Sequence, residues 1–123
     1  MTKEEILNMP AGSEINALFA KLVMEWKKEK YQGVWGESFY WIDSQNSMKH
    51  IGDCFCPSTN ISHAMEGMEK LNNCHFNLGF NGKLWVCTIW DKENIGLGYD
   101  KAKELAITYA RILWAMEKEA TND

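Results

Sequence analysis

Apolar residues recur along this chain with two different periods. From Ser13 to about Glu29, the residues Ile15, Leu18, Phe19, Leu22, Val23 and Trp26 follow at steps of three and four. That spacing predicts one amphipathic helix with a continuous buried stripe. Ahead of it, Thr2 and Glu5 have the spacing of a capping box, which predicts a short helix before Pro10. Lys27, Lys28 and Lys30 then fall in the last turn of the long helix, where positive charge complements the helix dipole.

The helical period is lost from Tyr31 to Asp53, where glycines and short polar residues predict short strands joined by turns. The rings of Trp35, Phe39, Tyr40 and Trp41 in this stretch are expected to pack in strands and core. A period of two appears next, with Phe76, Leu78 and Phe80 alternating with His75, Asn77 and Gly79. Asn81-Gly82 then predicts a type I′ turn, and Lys83 to Trp90 the returning strand of an antiparallel hairpin. The returning strand is apolar on both faces, which predicts a central or doubly covered position. Asp91 to Asp100 reads as a polar, glycine-bearing loop leading to a final helix capped by Asp100. In that helix, Lys101 to Lys118, the residues Ala102, Leu105, Ala106, Tyr109, Ile112, Leu113 and Met116 project onto one wide face, expected to be core. Ile107, Ala110 and Trp114 lie opposite with Arg111 beside them, and so apolar a second face predicts a subunit interface or the wall of a pocket formed at one.

Between the two regimes lies FCPSTNISHAMEGMEKL, Phe55 to Leu71. Pro57 stops the preceding segment, Ser58, Thr59 and Asn60 are three short polar side chains, and Ala64, Ile61, Met65, Met68 and Leu71 set a helical stripe. One cap needs one of the three polar residues; the others are free to hold a ligand at the helix start, where backbone N–H groups lack partners.

Size and charge narrow the function. The 123 residues predict a single domain, and the 46% hydrophobic and 24% charged fractions are those of a globular chain. No apolar run approaches the roughly 18 residues of a membrane span, and no secretory signal precedes the first helix, so a cytoplasmic protein is expected. A net charge of −4 and a pI near 5.4 oppose binding to a long nucleic acid, which needs a basic face. They do not oppose capture of one small anion. Arg111 is the only arginine in the chain. The Cys54-x-Cys56 spacing, with Cys74 and Cys87 isolated, is not that of a structural zinc site, so reduced cysteines and no metal or cofactor are expected. No phosphate loop, HExxH or GxSxG motif is present, which favours binding over catalysis.

The segment PSTNISHAMEGMEKL resembles the Pro/Tyr-Ser-Thr-Asp-Ile-x-x-Ala-hydrophobic segment of the phage ABA-sandwich domain family. The opening MTKEEILNMPAGSEINALFAKLVMEW and the final LAITYARILWAM are similar to that family's two ends, whereas Tyr31 to Cys54 diverges. Asn60 stands where the family has Asp, which removes a negative charge beside the polar segment. The resemblance implies an α+β fold, a small antiparallel sheet sandwiched between helices after an N-terminal helical segment. Within the family the chain is most similar to the first-described type of Thoeris anti-defence protein, whose members sequester cyclic ADP-ribose signals without cleaving them. That implies a non-enzymatic sponge for a glyco-cyclic ADP-ribose, a homo-oligomer of at least two subunits with pockets near subunit contacts. Such a ligand fits Ser58, Thr59 and Asn60 for phosphate and hydroxyl groups, Arg111 as a bidentate cation, Phe55 and Trp90 for stacking, and Asp91 for a ribose hydroxyl. The alternatives are a sponge for cyclic oligonucleotides and a non-catalytic protein-interaction module.

Overall fold

The computed structural model describes residues 1–121. Helix α1 is Lys3–Leu7, and the predicted capping box is present: the Glu5 N–H donates to Thr2 Oγ1, and Glu5 Oε1 accepts the N–H of Thr2. Helix α2, Ser13–Leu22, is followed by β1 (Lys27–Gly33), β2 (Gly36–Ile42) and β3 (Met48–Ile51), which form an antiparallel sheet in the order β1-β2-β3. A 3-10 turn at Gly52–Cys54 leads to helix α3, Ile61–Met68. The second antiparallel sheet is β4 (His75–Phe80), β5 (Trp85–Trp90) and β6 (Ile95–Asp100), in that order, and helix α4 runs Lys103–Thr121. The class is α+β, with the strands shared between two small sheets. No helix among the described residues is long and apolar enough to cross a membrane.

Three elements differ from the sequence expectation. The long helix stops at Leu22, not Glu29, because Glu25 takes a left-handed φ of +59° and turns the chain. Trp26 still reaches the core, but Lys27, Lys28 and Lys30 lie on β1, whose pairing with β2 from Lys27↔Ile42 to Gly33↔Gly36 overrides their helix propensity. The hairpin of β4 and β5 is real, yet its turn is not type I′. Phe80 pairs with Trp85, so the loop spans 81–84, and Asn81 Oδ1 accepts the N–H groups of Lys83 and Leu84 at 3.0 and 2.9 Å. Only Gly82 there has a positive φ, whereas type I′ needs two such residues.

The third difference is β6, which replaces most of the expected loop from Asp91 to Asp100. Ile95, Leu97 and Tyr99 alternate with Gly96 and Gly98, and the glycines conceal the strand period. Their role is packing. A Cβ on Gly96 would lie 2.5 Å from the Ala110 carbonyl oxygen, and one on Gly98 would lie 2.3 Å from that of Ala106, so their bare backbone lets α4 lie directly on β6.

Helix α4 is a wall shared by two cores. One face, with Leu105, Tyr109, Ile112 and Leu113, packs on Ile6, Ile15, Phe19, Trp26, Trp41 and Phe55. The Tyr109 hydroxyl donates to the Met9 carbonyl at 2.6 Å and ties α4 to the loop after α1. The opposite face, with Ile107, Ala110 and Trp114, packs on Ala64, Met68, Cys87 and Ile89 from α3 and β5. The expected subunit interface at Ile107, Ala110 and Trp114 is therefore corrected: these side chains are buried within the chain, and two cores rather than a second subunit account for the two apolar faces. Strand β5 is central as expected, with Cys87 and Ile89 buried on its inner side. Ile95, Leu97 and Tyr99 on the outer side of the sheet are half-exposed beside Trp90. Trp35, at the tip of the β1–β2 turn, is 99% exposed, so only the Trp41 end of the aromatic cluster belongs to the core.

Candidate functional site

The residues expected to line one pocket separate into two groups at opposite ends of α3. At its start, Asn60 is the cap, its Oδ1 accepting the His63 N–H at 3.2 Å. Ser58 is 1% exposed; its hydroxyl donates to Asn16 Oδ1 at 2.7 Å and accepts the Gly12 N–H at 3.1 Å, while its own N–H donates to the same Asn16 oxygen at 3.0 Å. Thr59 is exposed, and its hydroxyl donates to the Cys56 carbonyl at 3.4 Å. Phe55 is also 1% exposed and packs against Phe19, Trp26, His50 and His63, so no ring face remains for a ligand base. This end of α3 fastens the helix to α2.

Arg111 sits near the other end, about 10 Å away along α3 at 1.5 Å per residue. It is 6% exposed, and its Nε–H donates to the Gly67 carbonyl at 2.9 Å. Burial pushes the guanidinium down to about 10, with Cys74 and Glu25 acting in the opposite direction, so it stays charged at neutral pH. An arginine has five N–H donors; one is bonded to Gly67, and Arg111 lines a neighbouring cleft.

That cleft has a volume of about 610 Å³ and runs between the end of α2, the segment after α3 and the last turns of α4. Glu25, Lys70, Asn73, Asp91, Trp114 and Lys118 line it with Arg111. Asn73 and Asp91 also line an adjoining cavity of about 540 Å³ that contains Trp90 and His75. The rings of Trp90 and His75 are 5.6 Å apart. Asp91 holds the turn between β5 and β6, its Oδ1 accepting the N–H groups of Glu93 and Asn94 at 2.8 and 2.7 Å. Those bonds hold its carboxyl below the usual range, and Oδ2 lies 3.7 Å from the Lys118 ammonium. Arg111, Asp91 and Trp90 thus share a continuous surface, while Phe55, Ser58, Thr59 and Asn60 are outside it.

Residues 17–112 match the family model of the phage ABA sandwich domain. The chain belongs to this family. Neither curated proteins nor solved structures give a match. The ABA sandwich match begins inside α2 and ends just past Arg111, so it includes both sheets, α3 and the Gly67–Arg111 contact but leaves out Trp114 and Lys118. Of the residues lining the cleft, Glu25, Lys70, Asn73 and Lys118 were not marked by the sequence pattern. Only the fold brings these residues to one cleft. Among the described residues, one further constellation of side chains suited to a metal comes together, at His50, His63 and Glu66.

Proposed function

We propose that this ABA sandwich protein is a non-catalytic sponge that holds a cyclic ADP-ribose-type signal, a glyco-cyclic ADP-ribose, and thereby blocks activation of a Thoeris effector. The observation that carries this reading is the buried Arg111 in the lining of the cleft, a guanidinium with more N–H donors than the one bonded to Gly67. A guanidinium in a low-dielectric wall forms stronger bonds to phosphate than a solvated lysine does, and its planar fork suits two phosphate oxygens. The cleft volume is within the roughly 300–1,000 Å³ of small-ligand sites. Lys70 and Lys118 line the cleft as further cations beside the carboxylates of Glu25, Asp91 and Glu119, with Lys118 3.7 Å from Asp91, and Trp90 in the adjoining cavity offers a ring for adenine. Ser58, Thr59, Asn60 and Phe55 have no part in this version of the site.

The sponge acts as a homo-oligomer of at least two subunits. Supporting that is the half-exposed outer face of the second sheet, where Ile95, Leu97 and Tyr99 adjoin Trp90; association through this face would place a second subunit beside the Trp90 cavity. The same face favours the second reading, a module that occupies a host protein.

Titration calorimetry with glyco-cyclic ADP-ribose, followed by chromatography of the heat-released material, tests the proposal. Tight binding and recovery of the intact ligand are expected. Recovery of a cleaved product makes the protein an enzyme, and binding of cyclic oligonucleotides alone in the same titration changes the ligand class. Absence of any small-ligand binding leaves the host-protein reading.

A further inference from the structure

The aromatic packing around Phe55 brings together three potential metal ligands from separate parts of the chain. His50 is on β3, while His63 and Glu66 are three residues apart on α3 and therefore share a helix face. One ligand atom of each lies within 4.8 Å of the others, and His50 Nε2 is 3.9 Å from Glu66 Oε2. All three side chains are half-buried. The His50 ring is 5.0 Å from both Phe55 and His63 and 5.7 Å from Trp26, so the pair of imidazoles is held by rings on the core side.

We infer that His50, His63 and Glu66 form a binding site for a divalent first-row transition ion, zinc in the first place, which clasps the first sheet to α3. Two imidazoles and one carboxylate are a common zinc set and leave a fourth position for water. Tetrahedral zinc with bonds of about 2.0–2.1 Å holds such ligands roughly 3.3 Å apart. Side-chain torsions of His50 and Glu66, both partly open to solvent, close the difference.

The second layer of contacts defines how His63 takes part. Its Nδ1 accepts the Cys56 N–H at 3.0 Å, so the neutral ring carries its proton on Nε2. An ion bound at Nε2 requires the other tautomer, with the proton on Nδ1, so binding gives up the Cys56 N–H bond. The Cys56 sulfur, 3.8 Å from Nδ1, is then the nearby acceptor for that proton. The site is independent of the Arg111 cleft.

The test is titration of the chelator-treated, full-length protein with zinc chloride, by calorimetry and by thermal melting. One ion per chain and a rise in melting temperature of roughly 5 °C or more are expected. Glu66→Gln and His50→Asn should each weaken zinc binding at least tenfold, and Glu66→Gln should leave the metal-free melting temperature nearly unchanged. Cobalt substituted at the same site should give tetrahedral visible bands without a thiolate charge-transfer band. The inference is overturned by an absence of binding, by zinc affinity that both variants leave intact, or by a thiolate band, which would assign the ion to Cys54 and Cys56.

Discussion

The two ends of α3 meet polar side chains that are put to opposite uses. Before the helix, Ser58, Thr59 and Asn60 are each bonded within the chain, to Asn16, Gly12, Cys56 and His63. Beyond it, Arg111 donates to Gly67 and lines a cleft of about 610 Å³. The difference shows that a surplus of polar side chains at a helix start is weak evidence for a ligand. A buried polar residue needs partners, and at this site the fold supplies them. A buried cation with more donors than internal acceptors is stronger evidence, because its desolvation is offset only in part by the protein itself.

The comparison depends on α3 being pinned between α2 and α4, and Gly67 tests that first. A Cβ there would stand 2.3 Å from Phe19 Cζ and 2.9 Å from Val23 Cγ1, both in the buried core. Gly67→Ala should destabilise the protein by about 3 kcal/mol, less the roughly 1 kcal/mol that alanine adds in helix propensity. Urea unfolding measures it, and an unchanged midpoint would mean that α3 sits farther from α2 than described. Arg111→Met separates stability from binding. It should lower affinity for glyco-cyclic ADP-ribose by roughly 10- to 100-fold, the loss of charge-assisted bonds worth about 1.5–3 kcal/mol, with the fold retained. Calorimetry on the folded variant reads this, and unchanged affinity removes the cleft from the proposal. Ser58→Ala should show the reverse pattern. It deprives the Gly12 N–H of its acceptor and costs about 1–2 kcal/mol of stability, with ligand affinity unchanged.

Residues with local consequences were legible in the sequence. The Thr2/Glu5 capping box, the β4–β5 hairpin, the stripe of α2 up to Leu22 and the core face of α4 from Leu105 on follow from period and spacing, which act within a few residues, whereas Ala102, expected on that face, is exposed ahead of the helix. Glu25 was illegible because a left-handed φ at a glutamate is stabilised by tertiary packing, here the burial of Trp26 and the pairing of β1, and not by its own propensity. Strand β6 was illegible because Gly96 and Gly98 are chosen for their contact with α4, which removes the side chains that would mark a strand. The candidate site was half legible. Arg111 stood out as a lone arginine on an apolar face, and Trp90 and Asp91 share its surface. The hydrogen-bond partners that close the Ser58 segment, Asn16 and Gly12, lie more than 40 residues away, and no local pattern encodes them.

The smallest expected effect is the sharpest test of the contrast. Thr59 is the exposed member of the polar triplet, and its 3.4 Å bond to the Cys56 carbonyl is long for a hydroxyl donor. If the start of α3 is only a fastening, Thr59→Ala should change stability by less than about 0.5 kcal/mol and leave ligand affinity within experimental error, as for most surface substitutions. Unlike Ser58, it leaves no buried group unpaired, so a change in affinity could not be attributed to a disturbed fold. A tenfold loss of glyco-cyclic ADP-ribose binding in a Thr59→Ala protein with unaltered melting would therefore mean that the polar triplet touches the ligand. In that case both ends of α3 would belong to one extended site, and the assignment of the first end to structure alone would fail.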